Sequence, residues 1–175
     1  EFGQYIVRLP LKKSAKIYHN NSLRIDWEDI IEKEELSYIL GNPPFIGKKE
    51  QNEIQKEDMK NIFIGLKNSG VLDYVTAWYV KASQYIQGSN VKVAFVSTNS
   101  ITQGEQVGIL WEFISNKYNI IINFAHRTFS WKNEAKGNAA VHCVIVGFAN
   151  YDVSPKYLFE YEDINGEPHE IKVKN

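Results

Sequence analysis

The stretch Leu36-Ser37-Tyr38-Ile39-Leu40-Gly41-Asn42-Pro43-Pro44-Phe45 is the one around which the chain is organised. Its first five residues are mostly apolar and predict a buried strand. Gly41 then predicts a tight exit, and the two prolines fix the backbone and supply no N–H donors. Asn42 is the strong polar side chain of this stiff loop, and Phe45 adds a flat apolar surface. The loop suits a planar ligand that carries an amino group, although Asn-Pro-Pro is also typical of a plain turn.

The composition indicates one soluble globular domain. The chain has 175 residues, of which 43% are hydrophobic and 23% are charged, so it is long enough to bury a core. Its formal net charge of -1 gives no global basic footprint, although a basic groove on a neutral protein stays compatible with nucleic-acid binding. The single cysteine, Cys143, excludes an internal disulfide and fits a reducing compartment. We expect neither a signal peptide nor a membrane-spanning segment.

Apolar periodicity predicts alternating strands and helices on both sides of the loop. Upstream, it predicts short strands at 5–9 and 17–19 and a short helix at 26–31 with Asp26 as the N-cap. Downstream, a mobile loop or cover is predicted at 47–70, with helical character at 56–66. Beyond it we predict helices at 73–86 and around 107–114, strands at 91–97, 120–124 and 139–148, and a polar hairpin at 157–161 and 170–173.

This order predicts an α/β fold with a mostly parallel sheet covered on both faces. No helix-length segment separates the last two long strands, so we expect them to form an antiparallel hairpin at the sheet edge. Ligands of such sheets bind beyond the carboxyl ends of the strands. Clusters at 42–45, 98–100 and 126–131 follow predicted strands, and their meeting at one sheet edge would make a single site.

A metal site is not predicted by the histidines and the cysteine. His126, His142 and Cys143 lack the spacing of metal ligands. Because His142 and Cys143 lie inside an apolar strand, we interpret them as core residues.

Asn42-Pro43-Pro44-Phe45 after an apolar strand resembles the catalytic motif of amino-group DNA methyltransferases, in particular the adenine-N6 type. Segments at 72–75, 94–100, 124–129 and 133–137 look like the later motifs of the MmeI-like single-chain restriction–modification enzymes. The resemblance runs from about residue 18 to residue 148. It implies the C-terminal part of a Rossmann-like class I methyltransferase sheet, S-adenosylmethionine as cofactor, double-stranded DNA as partner, and the bacterial cytoplasm.

The sequence departs from that family in one respect. These enzymes bind S-adenosylmethionine through an aromatic-Gly-x-Gly stretch and a following acidic residue, and neither precedes Asn42. We therefore expect a piece of a longer enzyme, with 1–150 as a partial catalytic domain and 151–175 as a tail or hairpin leading toward a target-recognition region. The other methyltransferase, nuclease and recognition parts would be its partners in the parent chain. Alone, we expect the piece to be inactive, to bind the cofactor weakly, and to expose a strand edge at 36–40 or before Asn21.

The chemistry of the loop follows from its residue types. An adenine amino group is a poor nucleophile because its lone pair is delocalised into the ring. Acceptors on its two N–H bonds would localise that pair, and the Asn42 side-chain carbonyl and the Pro43 backbone carbonyl are the candidates. The resemblance implies that Asn42, Pro43, Pro44 and Phe45 form the catalytic loop, with Phe45 stacked on a flipped base. Phe129 is similar in position to the second aromatic that sandwiches the base, with Trp131 as its competitor.

The resemblance also assigns binding residues. Asn21 matches a polar residue that contacts the cofactor's adenine, with an ordinary turn asparagine as the alternative, and Asn42 is assigned to the cofactor as well. Candidates for DNA phosphate contacts, with solvated surface charge as the alternative, are Lys48, Lys49, Arg127 and Lys136.

Two other functions stay compatible with the sequence. One is an RNA or protein-glutamine methyltransferase that uses a similar Asn-Pro-Pro-aromatic loop. The other is a non-catalytic nucleotide- or nucleic-acid-binding module.

Overall fold

The computed structural model describes residues 15–131 and 141–173. The strand predicted at 5–9, the segment at 133–137 and Lys136 lie outside these ranges. The described elements are β1 (Tyr38–Gly41), α1 (Glu53–Ile62), α2 (Thr76–Tyr85), β2 (Lys92–Thr98), α3 (Gly104–Tyr118), β3 (Ile121–Trp131), β4 (Val141–Ala149), β5 (Lys156–Tyr161) and β6 (Pro168–Val173). Short 3-10 helices lie at Lys33–Glu35, Ser69–Val71 and Asn99–Thr102. None of the described helices is both long and apolar enough to cross a bilayer.

The six described strands form one sheet in the order β1-β2-β4-β3-β5-β6. β1 runs parallel to β2, β4 runs antiparallel to both β2 and β3, and β5 runs parallel to β3. Four strands (β1, β2, β3 and β5) therefore share one direction, whereas β4 and β6 run against them. This confirms the α/β fold with a mostly parallel sheet, and the polar hairpin of the tail is confirmed as β5 and β6.

The predicted antiparallel pairing of the last two long strands is confirmed, but its position at the sheet edge is wrong. β4 inserts between β2 and β3, and β5 pairs with the other side of β3. Phe124, for example, is paired with Gly147 of β4 and with Tyr157 of β5. Because both sides of β3 have hydrogen-bonding neighbours, the hairpin lies in the interior of the sheet.

The core lies on the face of the sheet that α2 and α3 cover. Tyr79 of α2 is fully buried, and its ring lies 5.3 Å from that of Phe95, 5.5 Å from that of Trp111 and 5.5 Å from that of Phe148. Burying each such side chain stabilises the fold by about 1.5–3 kcal/mol. On the opposite face Leu40 remains 76% exposed, so the predicted cover on both faces is not seen within the described residues. α2 connects β1 to β2, and α3 connects β2 to β3, and these three strands run in the same direction. Because such crossovers are right-handed, both helices lie on the same face of the sheet.

The strand predicted at 36–40 is β1, and it is not buried. Tyr38 is 63% exposed, because β1 is the edge strand of the described sheet and pairs with β2 alone. The expected open edge is thus at β1. No strand forms at 17–19.

Two predicted helices differ from the observed ones. Residues 26–31 form turns instead of a helix, and the Asp26 carboxylate accepts the Glu28 N–H at 3.1 Å. The helix expected at 56–66 is α1, which ends at Ile62 and begins with an Asn52–Gln55 capping box. Met59 and Phe63 are buried, so this part of the chain is a packed cover and not a mobile loop.

Candidate functional site

The Asn42–Phe45 loop leaves β1 at the carboxyl edge of the sheet. A Cβ atom at Gly41 would lie 3.0 Å from two atoms of the Phe95 ring, so glycine allows the strand to pass closely over that ring. Asn42 is exposed, and its side chain makes no hydrogen bond to the described residues, whereas Pro43 is buried. Phe45 is half-buried against the core. The loop therefore presents one free amide on a rigid base.

A cavity of about 510 Å³ lies beside this loop, within the usual size range of small-molecule sites. Its lining includes Asn42, Pro43 and Pro44 on one side and mostly aromatic or apolar side chains elsewhere, among them Tyr18, Trp27, Trp78, Tyr85 and Phe95. Phe45 and Asn21 are not part of the lining. The cavity thus combines an aromatic interior with a polar amide at its border, which suits a planar heteroaromatic ligand.

Hydrogen bonds hold the aromatic walls of the cavity in place. The Trp27 indole N–H donates to the Ser22 carbonyl at 2.8 Å, and the Trp78 indole N–H donates to the Ser22 hydroxyl at 3.0 Å. The Tyr85 hydroxyl donates to the Ile31 carbonyl at 2.6 Å. Burial raises the pKa of Tyr85 to about 12, so this phenol stays neutral. These bonds bind the 22–31 segment to α2 and make the wall a preformed one.

A buried carboxylate, Asp58, supports the turn at 21–24 that borders the cavity. Its side chain is 1% exposed. It accepts hydrogen bonds from Arg24 Nε at 2.6 Å, from the Tyr74 hydroxyl at 2.7 Å and from Asn21 Nδ2 at 3.1 Å. Burial acts to raise the pKa of Asp58, but the bonds from Tyr74, Arg24 and Asn21 together outweigh it and lower the pKa. Asp58 is therefore ionised, and it joins α1, the turn and the segment before α2.

Asn21 is already engaged within the protein. Its Nδ2 donates to Asp58, and its Oδ1 accepts the Leu23 N–H at 3.0 Å. Both polar ends of the side chain thus bind groups that stabilise the turn, as expected if Asn21 is an ordinary turn asparagine. A contact of Asn21 with the cofactor stays a prediction.

The cluster at 98–100 is connected to Lys48, in the chain just after the Asn42–Phe45 loop. The Asp73 carboxylate connects the two, because it accepts the Lys48 backbone N–H at 3.2 Å and also accepts the Ser100 hydroxyl. Sequence reasoning gave no role to the side chains of Asp58 and Asp73, since their partners lie far away in the chain.

The cluster at 126–131 is at the same edge but separate from the loop. Phe129 pairs with Cys143, which pairs with Thr98, so Phe129 is level with the end of β2. β1 lies three strand positions from β3, or about 14 Å across the sheet, so Phe129 is not adjacent to Asn42. The residues at 126–131 also lie within β3 instead of following it.

Phe129 belongs to an aromatic group formed by β3 and β5. Its ring stacks on Tyr161 with centroids 5.4 Å apart, and Trp131 lies 6.2 Å away. His126 accepts or donates a 2.8 Å hydrogen bond with Tyr161 and stacks on Phe159 at 4.3 Å. Burial lowers the pKa of His126, which favours the neutral ring. Of the two proposed base-stacking residues, Trp131 is 47% exposed whereas Phe129 is half-buried.

The proposed phosphate contacts differ in their surroundings. Lys48 and Lys49 are exposed just after the loop, whereas Arg127 forms an ion pair with Glu160. Lys136 lies outside the described residues.

The core assignment of the His142–Cys143 pair is half wrong. Cys143 is fully buried, but His142 is exposed, as is Val141 before it, because both lie at the start of β4 beyond the buried part of the strand. No group of three or more His, Cys, Asp or Glu suited to a metal ion occurs within 15–131 and 141–173.

Comparison with known proteins supplies the family context. The sequence profile described as "MmeI, DNA-methyltransferase domain" matches residues 1–160. DNA methyltransferase A of Bacillus subtilis (strain 168) is 48% identical over 154 residues, which cover 86% of this chain and 17% of that protein. The Type IIL restriction-modification enzyme MmeI, solved in complex with DNA, is 55% identical with a TM-score of 0.90, and the match covers 99% of this chain and 23% of that one.

A more distant structure shares the fold. The type IIG restriction endonuclease BpuSI has a TM-score of 0.57 at 12% identity, and the match covers 83% of this chain and 17% of that one. The chain thus spans less than a quarter of the length of each of these three proteins.

Proposed function

This chain belongs to the family of MmeI DNA-methyltransferase domains, and from that premise we propose that it transfers a methyl group from S-adenosylmethionine to the amino group of adenine in DNA. We propose further that it does so within a longer restriction–modification enzyme. The observation that carries this proposal is the exposed Asn42 amide, which borders the aromatic cavity and has no hydrogen-bond partner among the described residues. Such an amide is available to a ligand.

The loop residues would act on the target amine. Asn42 Oδ1 and the Pro43 carbonyl would each accept one of its N–H bonds, which localises the nitrogen lone pair. These bonds strengthen as positive charge develops on nitrogen, so they stabilise the transition state more than the ground state. The two prolines keep both acceptors in place without a rearrangement during the reaction. The nitrogen would form its bond to the methyl carbon as the methyl–sulfur bond breaks and the thioether leaves, and one N–H proton would then leave the amine for solvent.

S-adenosylmethionine would supply the electrophilic methyl carbon when bound. The cavity fits its adenosine part in size and in its aromatic lining. The residues that would hold it are Trp27, Trp78 and Tyr85 as walls, with Asn42 at the border. The Asn21–Arg24 turn would be held in place by Asp58.

The partners of this site follow from the same proposal. Lys48 and Lys49 are exposed next to the loop and would meet phosphates of double-stranded DNA, and Lys136 stays a candidate for the same role. Residues 1–150 would form the catalytic part and 151–175 would lead toward target recognition, with β5 and β6 continuing the same sheet. The remaining parts of the parent chain would complete the cofactor site.

The test is methyl transfer by the full-length protein that carries this chain. We expect tritium from labelled S-adenosylmethionine to enter duplex DNA, and mass spectrometry of the digested nucleosides to find N6-methyladenine. Asn42→Ala should lower kcat by about 100- to 1,000-fold, the usual effect of removing one preorganised polar contact to the transition state. Asn116→Ala makes the same chemical change at an exposed position of α3 and should leave the rate unchanged. N4-methylcytosine as the product would overturn the adenine assignment, and a parental rate for Asn42→Ala would remove Asn42 from the mechanism.

A further inference from the structure

Asp73 lies directly behind the loop that follows β1. The residue is 9% exposed, and both carboxylate oxygens are in use. Oδ1 accepts the Lys48 backbone N–H at 3.2 Å, and Oδ2 accepts the Ser100 hydroxyl. Ser100 is bound in turn to the Thr98 hydroxyl at 2.8 Å, which continues the contact to the last residue of β2. One side chain thus joins the loop to the end of the neighbouring strand.

The main chain around Asp73 reinforces this connection. The Tyr74 N–H donates to the Ile46 carbonyl at 2.9 Å, and the Gln51 side chain donates to the Leu72 carbonyl at 3.1 Å. On its other side, the Asp73 N–H donates to the Gln106 side chain of α3 at 3.0 Å. Residues 72–74 therefore bind the chain after the loop and are themselves bound to α3.

We propose that Asp73 is a positioning residue that holds the Asn42–Phe45 loop in its reactive geometry. The role rests on the proposed function, since it serves the amine contacts of Asn42 and Pro43. The chain is fixed at Gly41 by pairing with β2, at Ile46 by the Tyr74 N–H and at Lys48 by the Asp73 carboxylate. Between these points lie two prolines, so fixing both ends leaves Asn42 little freedom. β1 pairs with β2, and Asp73 binds Ser100 just after the end of β2. Both contacts therefore fix the position of the loop relative to the end of β2.

Hydrogen exchange tests the restraint independently of activity. In the full-length protein, Asp73→Ala should speed exchange in a peptide covering 46–51 by about tenfold, because the Lys48 backbone N–H in this peptide loses its acceptor. Ser100→Ala removes one donor and should give a smaller increase in the same peptide. Thr76→Val is the matched control, since it removes the hydroxyl's 2.7 Å bond to the Asp73 carbonyl but no contact with the loop. Unchanged exchange at 46–51 in Asp73→Ala, or equal acceleration in Thr76→Val, would refute the restraint.

Steady-state kinetics tests its role in the reaction. We expect Asp73→Ala to lower kcat by about 10- to 100-fold, the range in which a loop displacement of about 1 Å acts. The KM values for cofactor and DNA should change by less than about threefold, because Asp73 does not line the cavity. Asp73→Asn should stay close to the parent, because its oxygen can accept from Lys48 while its amide donates to the Ser100 hydroxyl.

The kinetic outcomes separate this proposal from the proposed function. Loss of activity through higher KM alone, or a parental kcat in Asp73→Ala, would overturn the positioning role. If the parent protein transfers no methyl group to DNA, the proposed function fails, and the exchange at 46–51 still decides whether Asp73 restrains the loop. If Asp73→Ala does not fold, Ser100→Ala decides the question by the same two measurements.

Discussion

Replacing Asp58 by asparagine is the sharpest test of how the cavity wall is held. Asp58 receives three donors, from Arg24, Tyr74 and Asn21, at distances of 2.6 to 3.1 Å. Asparagine offers one oxygen and one NH₂ group. In either orientation at least one donor then faces another donor, although the Tyr74 hydroxyl can turn to accept. The substitution keeps the shape of the side chain and removes its charge. Any loss of stability therefore reports the charge and the hydrogen bonds of Asp58, and not its packing.

The expected magnitude follows from the burial of each partner. A hydrogen bond to a charged group contributes about 1.5–3 kcal/mol, and removing one member of a buried ion pair costs about 3–5 kcal/mol. The Arg24 side chain is 45% exposed and can be rehydrated, and the variant retains one acceptor, so the lower part of this range applies. We expect Asp58→Asn to lower the free energy of unfolding by about 2–3 kcal/mol near pH 7, and Tm by roughly 4–12 °C. Urea and thermal unfolding of residues 1–175 would measure both.

The pH dependence of the stability difference between the parent and Asp58→Asn is a second test of the carboxylate. The pKa of Asp58 lies below its ordinary value of 3.8 in the folded protein, so the unfolded state binds more protons in this region. The stabilisation by Asp58 is fully present above that value and is lost as pH falls through the lowered pKa. The stability difference between the parent and Asp58→Asn should therefore be largest above about pH 5 and shrink below pH 4.

Glu57→Gln is the control for the Asp58 experiment. Glu57 also pairs with Arg24, at 2.9 Å, but its side chain is 62% exposed. We expect it to change Tm by less than about 2 °C. An Asp58→Asn variant as stable as Glu57→Gln, or a stability difference that stays constant down to pH 3, would show that the carboxylate is not what holds the turn.

Two further predictions concern ligand binding. Phe129→Ala in the full-length protein should reduce 2-aminopurine fluorescence at the target position, since stacking of a base on an aromatic ring is worth about 1–3 kcal/mol; an unchanged signal, with loss in Trp131→Ala, would transfer the role to the more exposed Trp131. Titration calorimetry of residues 1–175 with S-adenosylmethionine should show binding weaker than micromolar, because no aromatic-Gly-x-Gly stretch is present to hold the methionine part. A micromolar Kd, about -8 kcal/mol, would mean that the cavity is complete without that motif.

Local sequence pattern determines much of the fold of this protein. The apolar period of 3.6 located α2 and α3, and the long apolar runs located β2 and β4, because burial of one face depends on the residues of that segment alone. The loop at 42–45 could be identified in the same way, since glycine and proline restrict the backbone locally.

Strand order and exposure were decided only by tertiary structure. Nothing local places β4 between β2 and β3, because the pairing of β4 with β2 joins segments that are separated in the chain by α3 and β3. The apolar sequence of β1 predicted burial, yet β1 is exposed because its surroundings, and not its composition, set its accessibility.

The residues that hold the candidate site in place could also not be identified from the sequence. Asp58 meets partners 37, 34 and 16 residues away, and Asp73 meets partners 25 and 27 residues away. No helical or strand period connects residues at such separations, so local pattern does not predict these contacts. Asn42 could be recognised from the sequence because its conformation is set by its immediate neighbours. The residues that hold its loop and the cavity wall are brought together only when α1, α2 and the strand ends pack.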